Sequence, residues 1–150
     1  MSYLDVIRRK ARVARQFSGP DWGTFFQAWV LLLAVDLGLR LLPFPWLQSF
    51  ARRVRQRQVA NEAGTVQRMQ RLVDIAARNH LYPMGCLRKS LVLQRLLGRR
   101  GIATELRIGV RKEGSELKAH AWLEYAGRPV GELDMVSMHY ASLGSPEAGG

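Results

Sequence analysis

The sequence predicts an α+β fold, with helices first and a small antiparallel sheet last. Apolar residues recur at helical spacing as far as Leu97, three short period-two runs follow Gly101, and no internal repeat interrupts either regime. With 150 residues, 47% of them hydrophobic, the chain has the apolar mass for one core. It reads as a single domain over 1–143, with a helical N-terminal part (1–58), a second part (59–143) and a flexible tail (144–150).

In the first helix Leu4, Ile7, Ala11 and Ala14 form a stripe, while Arg8, Arg9, Lys10, Arg12 and Arg15 occupy the other faces. A second helix follows from the uncharged run of 14 residues between Trp22 and Val35, which continues through Asp36 and Arg40 to Leu42 and is ended by Pro43 and Pro45. A bilayer-spanning helix needs about 20 predominantly apolar residues, so this run reads as a buried or partner-covered helix, and no transmembrane segment is expected. Interfacial membrane attachment, aided by Trp22, Trp29 and Trp46, is an alternative. Asp36 and Arg40 stand four apart and can pair on one face. Four arginines lie between Ala51 and Gln58, and Val66, Met69, Leu72, Val73 and Ala76 then mark a third amphipathic helix.

A fourth helical segment runs from Cys86 to Leu97 and opens on the chain's only cysteine. Gly85 suits its N-cap, Pro83 keeps the preceding chain extended, and Gly98 and Gly101 close it. A thiol in the first helical turn sees unpaired backbone N–H groups and the positive end of the helix dipole, which favour thiolate over thiol. The position therefore suits an activated nucleophile, against the plainer reading of a small buried hydrophobe.

The strands supply a base. Thr104–Val110 places Leu106, Ile108 and Val110 on one face. Leu117–Tyr125 places Leu117, Ala119, Ala121 and Leu123 on one face and Lys118, His120, Trp122 and Glu124 on the other, so His120 is off the plainly apolar face. The third run, Arg128–Asp134, offers two acids. A three-residue loop, Tyr125-Ala126-Gly127, pairs Glu124 with Arg128 and sets Glu132 opposite His120, with Asp134 only diagonal to it. A two-residue loop, Ala126-Gly127, inverts the facing of Glu132.

Other polar and aromatic residues carry less. Ser90 has no marked partner for serine chemistry, Tyr82 reads as a packed aromatic, and His80 reads as a solvated residue ending the third helix. Trp122 either walls a cleft or fills the core. Three histidines and one cysteine show no ligand spacing, so no metal and no cofactor is expected.

The strings Cys86-Leu87-Arg88-Lys89-Ser90-Leu91-Val92-Leu93, Leu96-Leu97-Gly98-Arg99-Arg100-Gly101-Ile102, Leu106-Arg107-Ile108-Gly109-Val110 and Ala119-His120-Ala121-Trp122-Leu123-Glu124, in this order and spacing, resemble the lasso peptide leader peptidases. These are transglutaminase-like cysteine proteases, and the resemblance covers roughly residues 65 to 134. It implies a transglutaminase-like, papain-like fold with residues 59–143 as the catalytic part, Cys86 as nucleophile, His120 as general base and Glu132 as the orienting acid. The family usually has aspartate where this chain has Glu132, and Asp134 is the alternative. The resemblance further implies removal of the leader from a ribosomally made precursor peptide. A separate leader-binding protein would present the precursor, and a macrolactam-forming cyclase would receive the core.

Composition bounds the remaining classes. One cysteine excludes an intramolecular disulfide, and with no cleavable signal pattern at the N-terminus a cytoplasmic setting is expected. The net charge of +11, from 23 basic and 12 acidic side chains, suggests an acidic partner. Nucleic acid is not expected, because the arginines are spread over several segments without a recognised binding motif. A basic nucleic-acid-binding or membrane-surface protein without catalysis is the alternative function.

Overall fold

A computed structural model describes residues 7, 8, 11, 12, 14–131, 141 and 142. Residues 7, 8, 11, 12, 14 and 15 are helical, and Leu4 of the expected first stripe lies outside the described residues. Four helices follow: α1 (Gly19–Leu41), α2 (Phe44–Arg52), α3 (Glu62–Arg78) and α4 (Cys86–Arg99). The strands are β1 (Glu105–Glu113), β2 (Glu116–Tyr125), β3 (Arg128–Pro129) and β4 (Ala141–Ser142), in one antiparallel sheet ordered β3-β2-β1-β4. Helices before sheet is the predicted α+β arrangement.

Local chemistry accounts for the helix ends. Ser18 and Asp21 form a capping box at the start of α1. The helix stops at Leu41 before Pro43, as the sequence predicts. The same proline then caps α2, with Pro45 in its first turn, a helix the sequence reading did not include; proline breaks a helix interior but suits a first turn. Asn61 caps α3 by accepting the Gly64 N–H at 3.0 Å.

The C-terminus of α4 closes with the N–H of Ile102 donating to Leu97 O at 3.0 Å and that of Gly101 to Gly98 O at 3.1 Å, with Gly101 at φ 88. Gly98 and Gly101 also let the arginine-rich segment cross this end. A Cβ on Gly98 would strike the Arg53 carbonyl and one on Gly101 that of Arg57, while the Arg55 N–H donates to Gly98 O at 2.8 Å.

The core lies between α4, α3, the inner face of α1 and the sheet. Val66, Met69, Leu72, Val73 and Ala76 of α3 are buried as their spacing predicts, against Leu91, Val92, Leu96 and Leu97 of α4 and Leu106, Ala121 and Leu123 of the sheet. The most central helix is therefore the one that carries the cysteine.

Candidate active site

Cys86 is the first residue of α4, behind the N-cap Gly85, whose carbonyl accepts the Lys89 N–H at 3.2 Å. The three N–H groups before Lys89, on Cys86, Leu87 and Arg88, are the orphan donors of a helix start. The thiol is half-buried and accepts a hydrogen bond from the Ala121 N–H at 3.4 Å. One turn further along α4, the buried Ser90 hydroxyl donates to the Ala121 carbonyl at 3.4 Å. Both backbone groups of one strand residue are thus held by α4.

The sheet leaves those groups available. Along β2, the edge that carries the Leu123 carbonyl accepts the Val130 N–H at 2.8 Å, and two residues earlier the same edge presents Ala121. Among the described residues the ladder with β3 ends there, so the start of α4 replaces it. His120, next to Ala121 in the chain, consequently lines the same cleft as Cys86, together with Lys89, Ser90, Trp122 and Asp74.

Trp122 fulfils both expected roles, since it is buried and also walls the cleft. Its ring stacks on His120 at 6.2 Å and its indole N–H donates to Glu124 at 3.3 Å. Arg107 holds the other oxygen of Glu124 at 3.1 Å. Burial, and then the charge of Lys89, push the His120 imidazolium below its ordinary pKa. Lys89 is itself paired with Asp74 at 3.0 Å. The imidazole is therefore biased toward the neutral form that can accept a proton.

The β2–β3 turn differs from the one that favours Glu132. The loop is the two-residue Ala126-Gly127, with φ of 51 and 76, and Glu124 pairs with Pro129 rather than Arg128. Two consecutive positive φ values are the signature of a tight primed hairpin turn, which twists with its strands. Gly131 at φ 108 then departs from strand conformation, so this register does not carry through to the acids. Glu132 and Asp134 both lie outside the described residues.

A comparison with protein families matches residues 29–145 to the transglutaminase-like superfamily, more than half of the chain. The chain belongs to the transglutaminase-like superfamily. The comparisons with curated proteins and with solved structures gave no match. Superfamily membership accords with the α+β fold and with thiol chemistry at a helix start facing a histidine-bearing strand.

One part of this transglutaminase-like site escaped the sequence reading. Asp36, almost fully buried in α1, accepts from the Tyr82 hydroxyl and from Arg88 Nε, each at 2.5 Å, and pairs with Arg40 at 3.2 Å as its spacing predicts. The Tyr82 hydroxyl, followed by the arginines, holds the Asp36 carboxyl below its usual range. Arg88 lies two residues after Cys86, so this hub ties the start of α4 to α1. The available signal was one acid directly after an uncharged run of 14 residues, which requires a cationic partner when buried. His80 also differs from expectation: its ring stacks on Trp29 at 4.6 Å and meets Tyr82 edge-on, and its nitrogens are buried. The chain beyond α3 folds back onto α1 and carries that imidazole inward.

Proposed function

We propose that this chain is a cysteine peptidase that removes the leader from a lasso precursor peptide. The observation carrying the proposal is the 3.4 Å contact between the Ala121 N–H and Cys86 Sγ, which sets thiol and imidazole on one cleft. The resemblance of the Cys86 and His120 segments to leader peptidases supplies the substrate class.

In the proposed reaction His120 takes the thiol proton as Sγ attacks the scissile carbonyl, and then gives that proton to the departing amine of the core peptide. The leader remains as a thioester on Cys86. Water, deprotonated by His120, hydrolyses it and regenerates the thiol. The Cys86 N–H, first of the orphan donors, stabilises the oxyanion. Glu132 orients the imidazole and stabilises its charged form, with Asp134 as the alternative. Glu124 is held by Arg107 and Trp122, one at each oxygen.

A separate leader-binding protein presents the precursor in this reading, and the net charge of +11 steers an acidic leader or acidic presenter toward the site. The test incubates the chain with its precursor, with and without the candidate leader-binding protein, and follows leader and core by mass spectrometry. Release that depends on the partner supports the proposal. A chain that is folded and bound to its partner yet releases no leader contradicts it.

A further inference from the structure

Helix α1 is apolar on both sides. Its protein-facing side buries Ala28, Leu32 and Val35 together with the bonded polar residues Asp21, Thr24 and Asp36, and its outer side is apolar as well. Trp22, Phe26, Val30, Leu33, Leu37 and Leu41 are all exposed, at spacings of three or four, and Phe26, Val30 and Leu37 are each more than half exposed. From Trp22 to Leu39 the exposed positions include no charged residue. The stripe extends over about 30 Å of helix, and on the next helix, α2, Trp46 is 73% exposed. A continuous apolar surface of this length marks a contact site on a protein.

Charge identifies what covers it. Between Trp22 and Asn61 the only acid is Asp36, which is buried and paired, while Arg40, Arg52, Arg53, Arg55 and Arg57 are all exposed. An apolar face on a segment whose exposed charges are all basic, with tryptophans at Trp22 and Trp46, complements an anionic bilayer, where headgroups take guanidinium groups and the acyl boundary takes the rings. A second copy would bring together two chains of net charge +11. The helix is long and apolar enough to cross a membrane, but α3 and α4 pack along its inner side with Arg68 and Arg88 bonded to it, a packing that suits lying on a surface better than crossing one.

We propose that the outer face of α1, with Trp46 of α2, is a monotopic membrane-binding surface for anionic bilayers. It is independent of the peptidase reading and is measured without precursor. The full chain is sedimented with phosphatidylcholine vesicles, with and without phosphatidylglycerol, beside F26S/V30S/L37S and R52Q/R55Q. Thermal melting first establishes that both variants fold; their positions are exposed.

The expected result is binding to the phosphatidylglycerol vesicles that weakens with salt, and that falls at least about tenfold in each variant. Three results overturn the proposal. One is failure to bind either vesicle; another is binding by F26S/V30S/L37S equal to wild type, which leaves only a charge effect. The third is a concentration-dependent dimer without vesicle binding, abolished by F26S/V30S/L37S, which makes a second copy the occupant.

Discussion

The Ala121 N–H donates to Cys86 Sγ across 3.4 Å, and this contact determines where His120 stands. The adjacent Ser90 bond to the Ala121 carbonyl makes the attachment two-pronged. Both bonds run from α4 side chains to the backbone of β2, and the pairing of β2 with β1 holds that backbone without them. Cys86→Ala and His120→Ala are expected to keep the wild-type melting temperature within a few degrees and to lose about a hundredfold or more in cleavage. Normal turnover by either variant contradicts the assignment.

Serine at position 90 is structural in this arrangement. Ser90→Ala removes the bond to Ala121 but leaves Cys86, the proposed nucleophile, so cleavage should fall by roughly tenfold rather than be abolished. Loss as complete as in Cys86→Ala would move the chemistry to Ser90.

Acid should inhibit the proposed cleavage at a pH below the usual histidine range. His120 must be unprotonated to take the thiol proton, and burial together with Lys89 lowers its pKa from the ordinary 6.5. The acidic limb of kcat/KM should therefore have its midpoint below 6.5, with activity rising as pH increases through it. Lys89→Gln removes one depressing charge and should move the limb upward. An unmoved limb, measured across a full pH series, would show that Lys89 does not act on His120.

Asp36 acts at a distance, by holding Arg88 and Tyr82 beside the start of α4. Asp36→Asn should lower both the melting temperature and kcat while leaving the midpoint of the acidic limb unchanged. Tyr82→Phe retains the ring and should do the same more mildly. A shifted limb would mean that Asp36 influences His120 electrostatically.

Two acids compete for the third position, and substitution ranks them. With Glu132 as the orienting acid, as the resemblance implies, Glu132→Gln is expected to cost about a hundredfold or more in kcat, well beyond Asp134→Asn. The reverse ranking in the same cleavage assay assigns the role to Asp134.

The legible parts of this chain were those written in periodicity. The α3 stripe, the α4 start at Cys86 and the alternation of Leu106 with Ile108 all appear where their spacing places them, because burial selects one face. The turn was less legible. A loop containing Ala126 suggests that only Gly127 takes positive φ, yet Ala126 also adopts it at φ 51, and this single residue shifts the pairing by one. α2 was hidden because its two prolines read as breakers. The Asp36 hub was hidden because Tyr82 and Arg88 lie 46 and 52 residues away, beyond any local pattern.

Cys86 as the acylated nucleophile is tested most directly by the intact mass of the chain, acid-quenched during turnover of its precursor with the leader-binding protein present. The account predicts an adduct equal to the leader less one water, mapped to Cys86 and absent from Cys86→Ala. Leader release that continues in Cys86→Ala, with no adduct on the wild-type chain, would contradict it.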